Sequence, residues 1–458
     1  MGREHGSTKN MSEGDPFRLI LAFAVPMLFG TLFQQFYSMV DTVVVGRFLG
    51  VNALAAVGST SAINFMVNGF VIGVATGFAI PVAQQFGAGK MHEMRCYVAN
   101  IIWLTAIIAV AMTAAVALLT HRILVWMRTP DEILGEAYLY IFIIFLGIPV
   151  TFLYNATAGI IRALGDSRTP LIFLVLASVV NIVLDIVTIV FLHFDVNGPA
   201  YATVFSQGIS GILCVFYMIR KFPELRLSRE ELSPSGRLCK NLLWNGVPMG
   251  LQYSITAIGS VILQTAVNTL GAVAVASVTA GQKVIMFFSC VFDALGGTMA
   301  TWAGQNTGAG KYDRVKEGVF AAMKMGSAWS IAAFLILLLF GGYIPLLFVD
   351  AGETEVIRRA HFFMAANAAF YIPLTAVNVY RFAIQGMGFS GLAIFSGVFE
   401  MVARALVGFI GVPVFGYYAA CFASPFAWIL ADCFLLPALD YCVRTLNRGR
   451  GDPLENVD

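Results

Sequence analysis

Asp41 and Asp185 each lie inside a long apolar stretch, where an ionised side chain is costly. At the centre of a membrane helix an Asp, Lys or Arg costs about 2.5 to 3.5 kcal/mol on insertion scales, so each such residue needs a reason. Asn181 precedes Asp185 by four positions, and in a helix the two share a face, one turn apart. Brought together, Asp41, Asn181 and Asp185 have the donor set for a proton or a Na+ ion, because two carboxylates in apolar surroundings repel each other until one is neutralised. The plainer alternative is a hydrated Asp41 at the outer end of its helix, capping the turn before Gly46 and Arg47.

A second group of charges lies far along the chain: Arg381, Glu400 and Arg404, with Lys283 and Asp293 in an earlier apolar stretch. Glu400 and Arg404 have the i,i+4 spacing that pairs side chains on one helix face. Glu400 reads either as a second ion-coupling or cation-binding group, neutralised by Arg404 or Arg381 in one state, or as part of a fixed buried ion pair that sets helix register. Lys283 and Asp293, ten apart, read as structural. Catalytic chemistry is not indicated: the five His (5, 92, 121, 193 and 361) are isolated, HExxH and GxSxG are missing, and the seven Cys are scattered singly with no CxxC. The chain is expected to be no enzyme, to use no cofactor beyond H+ or Na+ as a coupling ion, and to hold no structural metal.

These groups must be positioned by membrane helices. Hydrophobic residues fill 59% of the 458 positions and charged ones 12%, and the mean hydropathy is +0.80, which leaves too little polar surface for a water-soluble globule. Runs long enough to cross about 30 Å of hydrocarbon occur near 17–40, 52–82, 96–120, 134–158, 170–192 and 199–219, then near 240–268, 273–305, 318–348, 360–386, 391–412 and 416–443. The expectation is an all-α integral membrane protein with twelve transmembrane helices in two pseudo-symmetric six-helix lobes. The N-lobe covers 17–219, a cytoplasmic linker 220–239 and the C-lobe 240–443, between tails at 1–16, expected to be disordered, and 444–458.

Basic residues set the orientation. Arg3, Lys9, Arg18, Lys90, Arg95, Arg162, Arg168, the linker cluster from Arg220 to Lys240, Lys311, Arg314, Lys316, Arg444, Arg448 and Arg450 fall on the side of both termini. The opposite side carries only Arg47, Arg122, Arg128, Arg358 and Arg359, the last two diluted by Asp350, Glu353 and Glu355. Both termini are therefore expected in the cytoplasm.

The chain also repeats itself. Gln84-Gln85-Phe86-Gly87-Ala88-Gly89-Lys90 returns as Gln305-Asn306-Thr307-Gly308-Ala309-Gly310-Lys311, and Pro26-Met27, Leu49-Gly50 and Ile148-Pro149 have counterparts in Pro248-Met249, Leu270-Gly271 and Ile372-Pro373. The Gly-Lys loops are no phosphate-binding motif, since Met91 or Tyr312 follows the Lys where Ser or Thr is required. A repeat of half the chain, with an even number of spans per half, gives two lobes of one orientation, the usual build of a secondary transporter with its site near the midplane.

The repeated loops, Pro26, Leu153-Tyr154-Asn155, the run Arg162-Ala163-Leu164-Gly165-Asp166-Ser167-Arg168-Thr169-Pro170 and Asn181-Ile182-Val183-Leu184-Asp185 together resemble the multidrug and toxic compound extrusion (MATE) transporters over nearly the whole chain. Within that family the likeness is to the DNA-damage-inducible-protein-F-like group rather than the group typified by NorM, whose second-lobe acidic positions are here Thr256 and the Leu374, Thr375, Asn378 stretch. The resemblance implies export of amphipathic, often cationic organic compounds in exchange for H+ or Na+ by alternating access, in a bacterial inner membrane. It implies small-molecule substrates and the lipid bilayer as partners, no nucleic acid, and a monomer. It adds Tyr140 and Thr203 to the ion-coupling set, places Gln34 and Asn155 at a substrate cavity, and makes Pro26 a hinge of the first helix. A lipid-linked oligosaccharide flippase of related architecture is the alternative, expected to need several cavity cations for pyrophosphate, where only Arg381, Arg404 and Lys283 are available.

Overall fold

The computed structural model describes residues 10–127, 129–347 and 352–449, so Arg3, Lys9, Arg128, Asp350 and Arg450 lie outside the described residues. In chain order the helices are α1 (Pro16–Phe48), α2 (Val51–Gly87), α3 (Met91–Trp126), α4 (Asp131–Leu146), α5 (Ile148–Ala163), α6 (Arg168–Ile186), α7 (Asn197–Lys221) and α8 (Gly236–Asn268). They continue as α9 (Ala272–Gly308), α10 (Tyr312–Phe340), α11 (Thr354–Ala368), α12 (Tyr371–Gly386), α13 (Ser390–Leu406), α14 (Val412–Phe415) and α15 (Tyr417–Asn447). Ten spans are each long and apolar enough to cross a membrane alone, and the bent pairs α4–α5 (43°) and α11–α12 (49°) bring the number to twelve if each pair is one span.

Both bends arise from matched sequence. Pro149 and Pro373 sit in the first turn of α5 and α12, where a missing amide donor costs nothing but where the preceding helix cannot continue through. The repeat also fixes the loops after α2 and α9: Gly89 (φ 72°) and Gly310 (φ 70°) are left-handed, and the amides of Lys90 and Lys311 close back onto Gln85 O (3.0 Å) and Asn306 O (2.8 Å). The helices α6 and α13 both run on into a short π-helical segment, Val187–Phe191 and Val407–Gly411.

The chain forms two compact units. Among the described residues the first is built from Phe29–Gly250 and the second from Met11–Leu28 with residues 251–449. Both α1 and α8 are thus shared, each dividing two residues after its internal proline, Pro26 or Pro248.

In the first unit, the leading half of α8 packs on α2 backbone to backbone. A Cβ at Gly77 would lie 2.5 Å from Gly246 Cα, and one at Gly73 would lie 2.6 Å from Met249 O. This is the close approach that small residues four apart permit between membrane helices. The linker before α8 is strapped to α3: the Glu231 side chain, 3% exposed, accepts from Arg95 Nε (2.7 Å) and Ser228 N (2.8 Å) and lies 2.9 Å from His92 Nδ1. Trp103 Nε1 donates to Leu232 O (2.9 Å) and Ser235 N to Asn100 Oδ1 (2.9 Å).

In the second unit the matching strap precedes α1. Met11 N donates to Gln305 Oε1 (2.8 Å), Asn306 Nδ2 to Met11 O (3.4 Å), Lys311 Nζ to Ser12 O (2.9 Å) and Arg314 Nη2 to Gly14 O (2.6 Å). Residues 11–14, expected to belong to a disordered tail, are instead tied down, with Met11 and Ser12 buried. The second copy of the repeated loop therefore clasps the chain just ahead of α1.

Candidate functional site

The second half of α1 carries Gln34, Tyr37 and Asp41 at helical spacing on one face. Asn181 and Asp185 are buried on α6, Tyr140 is buried on α4, and Thr203 is half-buried on α7. The start of α6 is fixed by Asp166, whose Oδ1 accepts from the amides of Arg168 and Thr169 (both 3.0 Å) and whose Oδ2 accepts from Thr169 Oγ1 (2.7 Å). Asp166 thereby satisfies two free amides at the start of the helix, and it sets the register that carries Asn181 and Asp185 inward. The π-segment begins two residues after Asp185, and Thr188 Oγ1 donates to Leu184 O (2.8 Å) and Asp185 O (3.2 Å) within it.

Asn181 Nδ2 donates to Thr203 Oγ1 (3.4 Å). Asp185 is fully buried, yet neither of its carboxyl oxygens meets a donor among the described residues, and Asp41 Oδ1 and Asn181 Oδ1 are unpartnered as well. The group that faces Asp185 within hydrogen-bonding reach is the Asp41 carboxyl. Two ionised carboxylates are acceptors only, so this arrangement is satisfied by a proton or a cation placed between them. Tyr37, bonded to Gln34, and Tyr140 both lie in the field of these two carboxyls.

The structure thus brings Asp41, Asn181, Asp185, Tyr140 and Thr203 into one neighbourhood, with Gln34 joined to it through Tyr37. Asn155 is half-buried on α5, and its Nδ2 donates to Thr151 O of its own helix (2.8 Å). Tyr37 was missed in the sequence, although its position one turn before Asp41 was a signal.

The second unit holds a different set. Glu400 is buried and uses both oxygens on guanidinium groups, Arg381 Nη1 at 3.0 Å and Arg404 Nη2 at 3.1 Å. Gln252 on α8, with its amide oxygen turned to Arg381, accepts from Nε (3.2 Å) and Nη1 (2.9 Å). Asp432 on α15 lies in the field of Arg381 and Glu400, and its buried Oδ1 is unpartnered. Asp432 was also missed; its signal was a lone carboxylate inside the last apolar run. Among the described residues no three His, Cys, Asp or Glu cluster to hold a metal ion.

The family model MatE matches residues 26–187 and 248–410, one copy in each half of the chain. The "Probable multidrug resistance protein YpnP" of Bacillus subtilis is 29% identical over 82% of this chain and 83% of its own length. The "DNA damage-inducible protein F" of Escherichia coli, in the group expected to be nearest, is 25% identical over 84% of this chain and 83% of its own, a weaker likeness than to YpnP. A solved multidrug resistance MATE family transporter in an outward-facing conformation superposes with a TM-score of 0.90 at 21% identity, over 97% of this chain and 99% of that one.

Proposed function

Since the chain belongs to the MatE family of membrane transporters, we propose that it is a secondary multidrug efflux antiporter that exports amphipathic organic compounds in exchange for H+ or Na+. Multidrug resistance is what the name of its Bacillus subtilis relative describes. The observation that carries the ion-coupling part is the fully buried Asp185, facing the Asp41 carboxyl with no protein donor on either oxygen.

A coupling cation neutralises the pair in one access state; its departure leaves two facing carboxylates, which is unfavourable until the site opens to water or reloads. Asn181 and Thr203 orient the donor side, with Tyr140 and Tyr37 walling it. Asp41 shares α1 with Pro26, so a change of partners at Asp41 is transmitted to a helix already lacking one backbone hydrogen bond. The positions that are acidic in the NorM-like second lobe carry no acid here, so the coupling reading rests on the first-lobe carboxylate pair. The flippase alternative is disfavoured because Arg381 and Arg404 are already committed to Glu400. We place the protein in the bacterial inner membrane as a monomer with its termini in the cytoplasm, on the basic residues of its inner loops.

The test is efflux of ethidium from proteoliposomes under separately imposed pH and Na+ gradients. At least one gradient accelerates efflux by the wild type, and Asp41→Asn loses that acceleration. If neither gradient drives wild-type efflux, the antiport reading is wrong.

A further inference from the structure

The strap of the linker on α3 leaves one ring nitrogen of His92 aimed at a thiol. His92 and Cys96, isolated from any motif in the sequence, lie one turn apart at the start of α3 and share a face. His92 Nδ1 is 2.9 Å from Glu231 Oε1, and the other ring nitrogen, Nε2, is 3.9 Å from Cys96 Sγ. Glu231 also accepts from Arg95 Nε (2.7 Å) and Ser228 N (2.8 Å), which hold it as a carboxylate. A carboxylate against Nδ1 selects the neutral tautomer with its proton there, so the Nε2 lone pair faces Cys96 Sγ. A carboxylate behind the far nitrogen is also what fixes the ring and raises the basicity of metal-binding histidines.

The spacing suits a metal ion. With Zn–S of about 2.3 Å and Zn–N of about 2.0 to 2.1 Å, tetrahedral zinc sets sulfur and nitrogen about 3.6 Å apart, close to the 3.9 Å seen here. The His92 side chain is 72% exposed and Cys96 is half-buried, so an ion can reach the pair and water can complete its shell. Neighbouring groups are spent elsewhere: Asn100 takes Ser235 N and Cys239 Sγ (3.2 Å) on Oδ1 and gives Nδ2 to Cys96 O, while Glu93 faces Lys90 at 3.8 Å. Counted from the matched Lys90 and Lys311, the second repeat carries Asp313 and Glu317 at these positions, so its clasp works without such a pair.

We propose that His92 Nε2 and Cys96 Sγ chelate a thiophilic divalent cation of the Zn2+ class, with Glu231 as the positioning carboxylate behind His92. On binding, the thiol proton passes to water and thiolate–metal and imidazole–metal bonds form. Two protein donors make an exchangeable site, unlike the four that close a structural zinc centre, and no third His, Cys, Asp or Glu joins them among the described residues. Thiolate and imidazole discriminate against Mg2+ and Ca2+, which take oxygen ligands. A metal on Nε2 pins the ring that holds Glu231, so the ion ties the linker to α3. This cation is distinct from the coupling ion: Asp41 lies close to the loop that enters α2, and the pair lies just past the loop that leaves it, with the 37 residues of α2 extending about 55 Å between them.

The test follows iodoacetamide modification of each cysteine by mass spectrometry, in purified, tag-free full-length protein with and without Zn2+. Zn2+ should slow modification of Cys96 at least tenfold and leave Cys239 unchanged, and Mg2+ should protect neither. His92→Gln should abolish the protection, and Glu231→Gln should weaken Zn2+ about tenfold, the usual cost of losing the group behind a metal-bound histidine. Unhindered modification of Cys96 in saturating Zn2+, protection that survives His92→Gln, or equal protection of Cys239 overturns the site. Wild-type Zn2+ affinity in Glu231→Gln overturns the positioning role. No arm involves transport, so the antiport reading stands or falls separately.

Discussion

Glu400→Gln isolates the role of the second-unit triad. The substitution keeps the shape of the side chain and removes its charge, leaving Arg381 and Arg404 with side chains 9% and 8% exposed. Breaking a buried ion pair from one side costs about 3 to 5 kcal/mol, because the stranded charge loses its partner without regaining water. The amide oxygen of Gln can still accept from one guanidinium while its NH2 faces the other, so one charge-assisted hydrogen bond of about 1.5 to 3 kcal/mol is lost outright and the second is weakened, a loss compatible with that range. Arg381 keeps Gln252 at 2.9 and 3.2 Å and Asp432 in its field, so the lower half of that range is expected, about 3 to 4 kcal/mol. That is a large share of a net stability of about 5 to 15 kcal/mol. The assay is reversible unfolding in mixed micelles titrated with denaturing detergent, comparing wild type, Glu400→Gln and the double variant Glu400→Leu/Arg404→Met. The single variant should lose the stated amount, and the double should recover part of it because one stranded charge is gone. A Glu400→Gln protein within about 1 kcal/mol of wild type, changed only in ion coupling, would refute the fixed-pair reading; that threshold is the net worth of an ordinary hydrogen bond.

Other consequences follow from the packing and the straps. Gly77→Val inserts a branched side chain where even a Cβ would be 2.5 Å from Gly246 Cα; overpacking of this kind costs about 1 to 3 kcal/mol, so the unfolding midpoint should fall, while the outward-facing Gly58→Val should leave it unchanged. Arg314→Ala removes the 2.6 Å bond to Gly14 O, and protease should then cut within residues 10–15 much faster than in wild type; an unchanged rate would show that the clasp does not hold the strap. Burial alone would raise the carboxyl of Glu231, but hydrogen bonds from Ser228, Arg95 and His92 outweigh it and bring it from 4.5 down to about 2. A depressed carboxylate stabilises the linker fully above its ordinary value and loses that stabilisation as pH falls from 4.5 towards about 2. Amide exchange over 228–236 should therefore be slow at neutral pH and accelerate, beyond its intrinsic trend, only in that acid window; Glu231→Gln should show the fast exchange throughout.

The parts visible in the sequence are those that depend on composition and local period. Apolar run length gave the spans, and the repeat gave two related halves. The cost of burying charge pointed to Asp41 and Asp185, which the fold brings face to face. The bends at Gly147 and Phe370 were blurred into single spans because hydropathy cannot see an angle, although Pro149 and Pro373 mark them. Pairings between distant residues were not legible. Gly73 and Gly77 meeting Met249 and Gly246, or Gln305 meeting Met11, have no local signature, since each depends on where another helix passes. Glu400 stood equally as switch or fixed pair from its i,i+4 spacing; it took Arg381, from a different helix, to show both of its oxygens occupied.

Direct counting of the coupling ion tests the first-unit site most closely. In proteoliposomes loaded with ethidium, H+ and Na+ entry are recorded together with export, for wild type, Asp41→Asn and Asp185→Asn. The facing carboxyls predict that the wild type takes up a fixed number of one of these ions per ethidium exported, and that either variant loses ion uptake while still binding ethidium. Ion entry coupled to export as in wild type, in a protein lacking either carboxyl, would contradict the assignment of Asp41 and Asp185 as the coupling site.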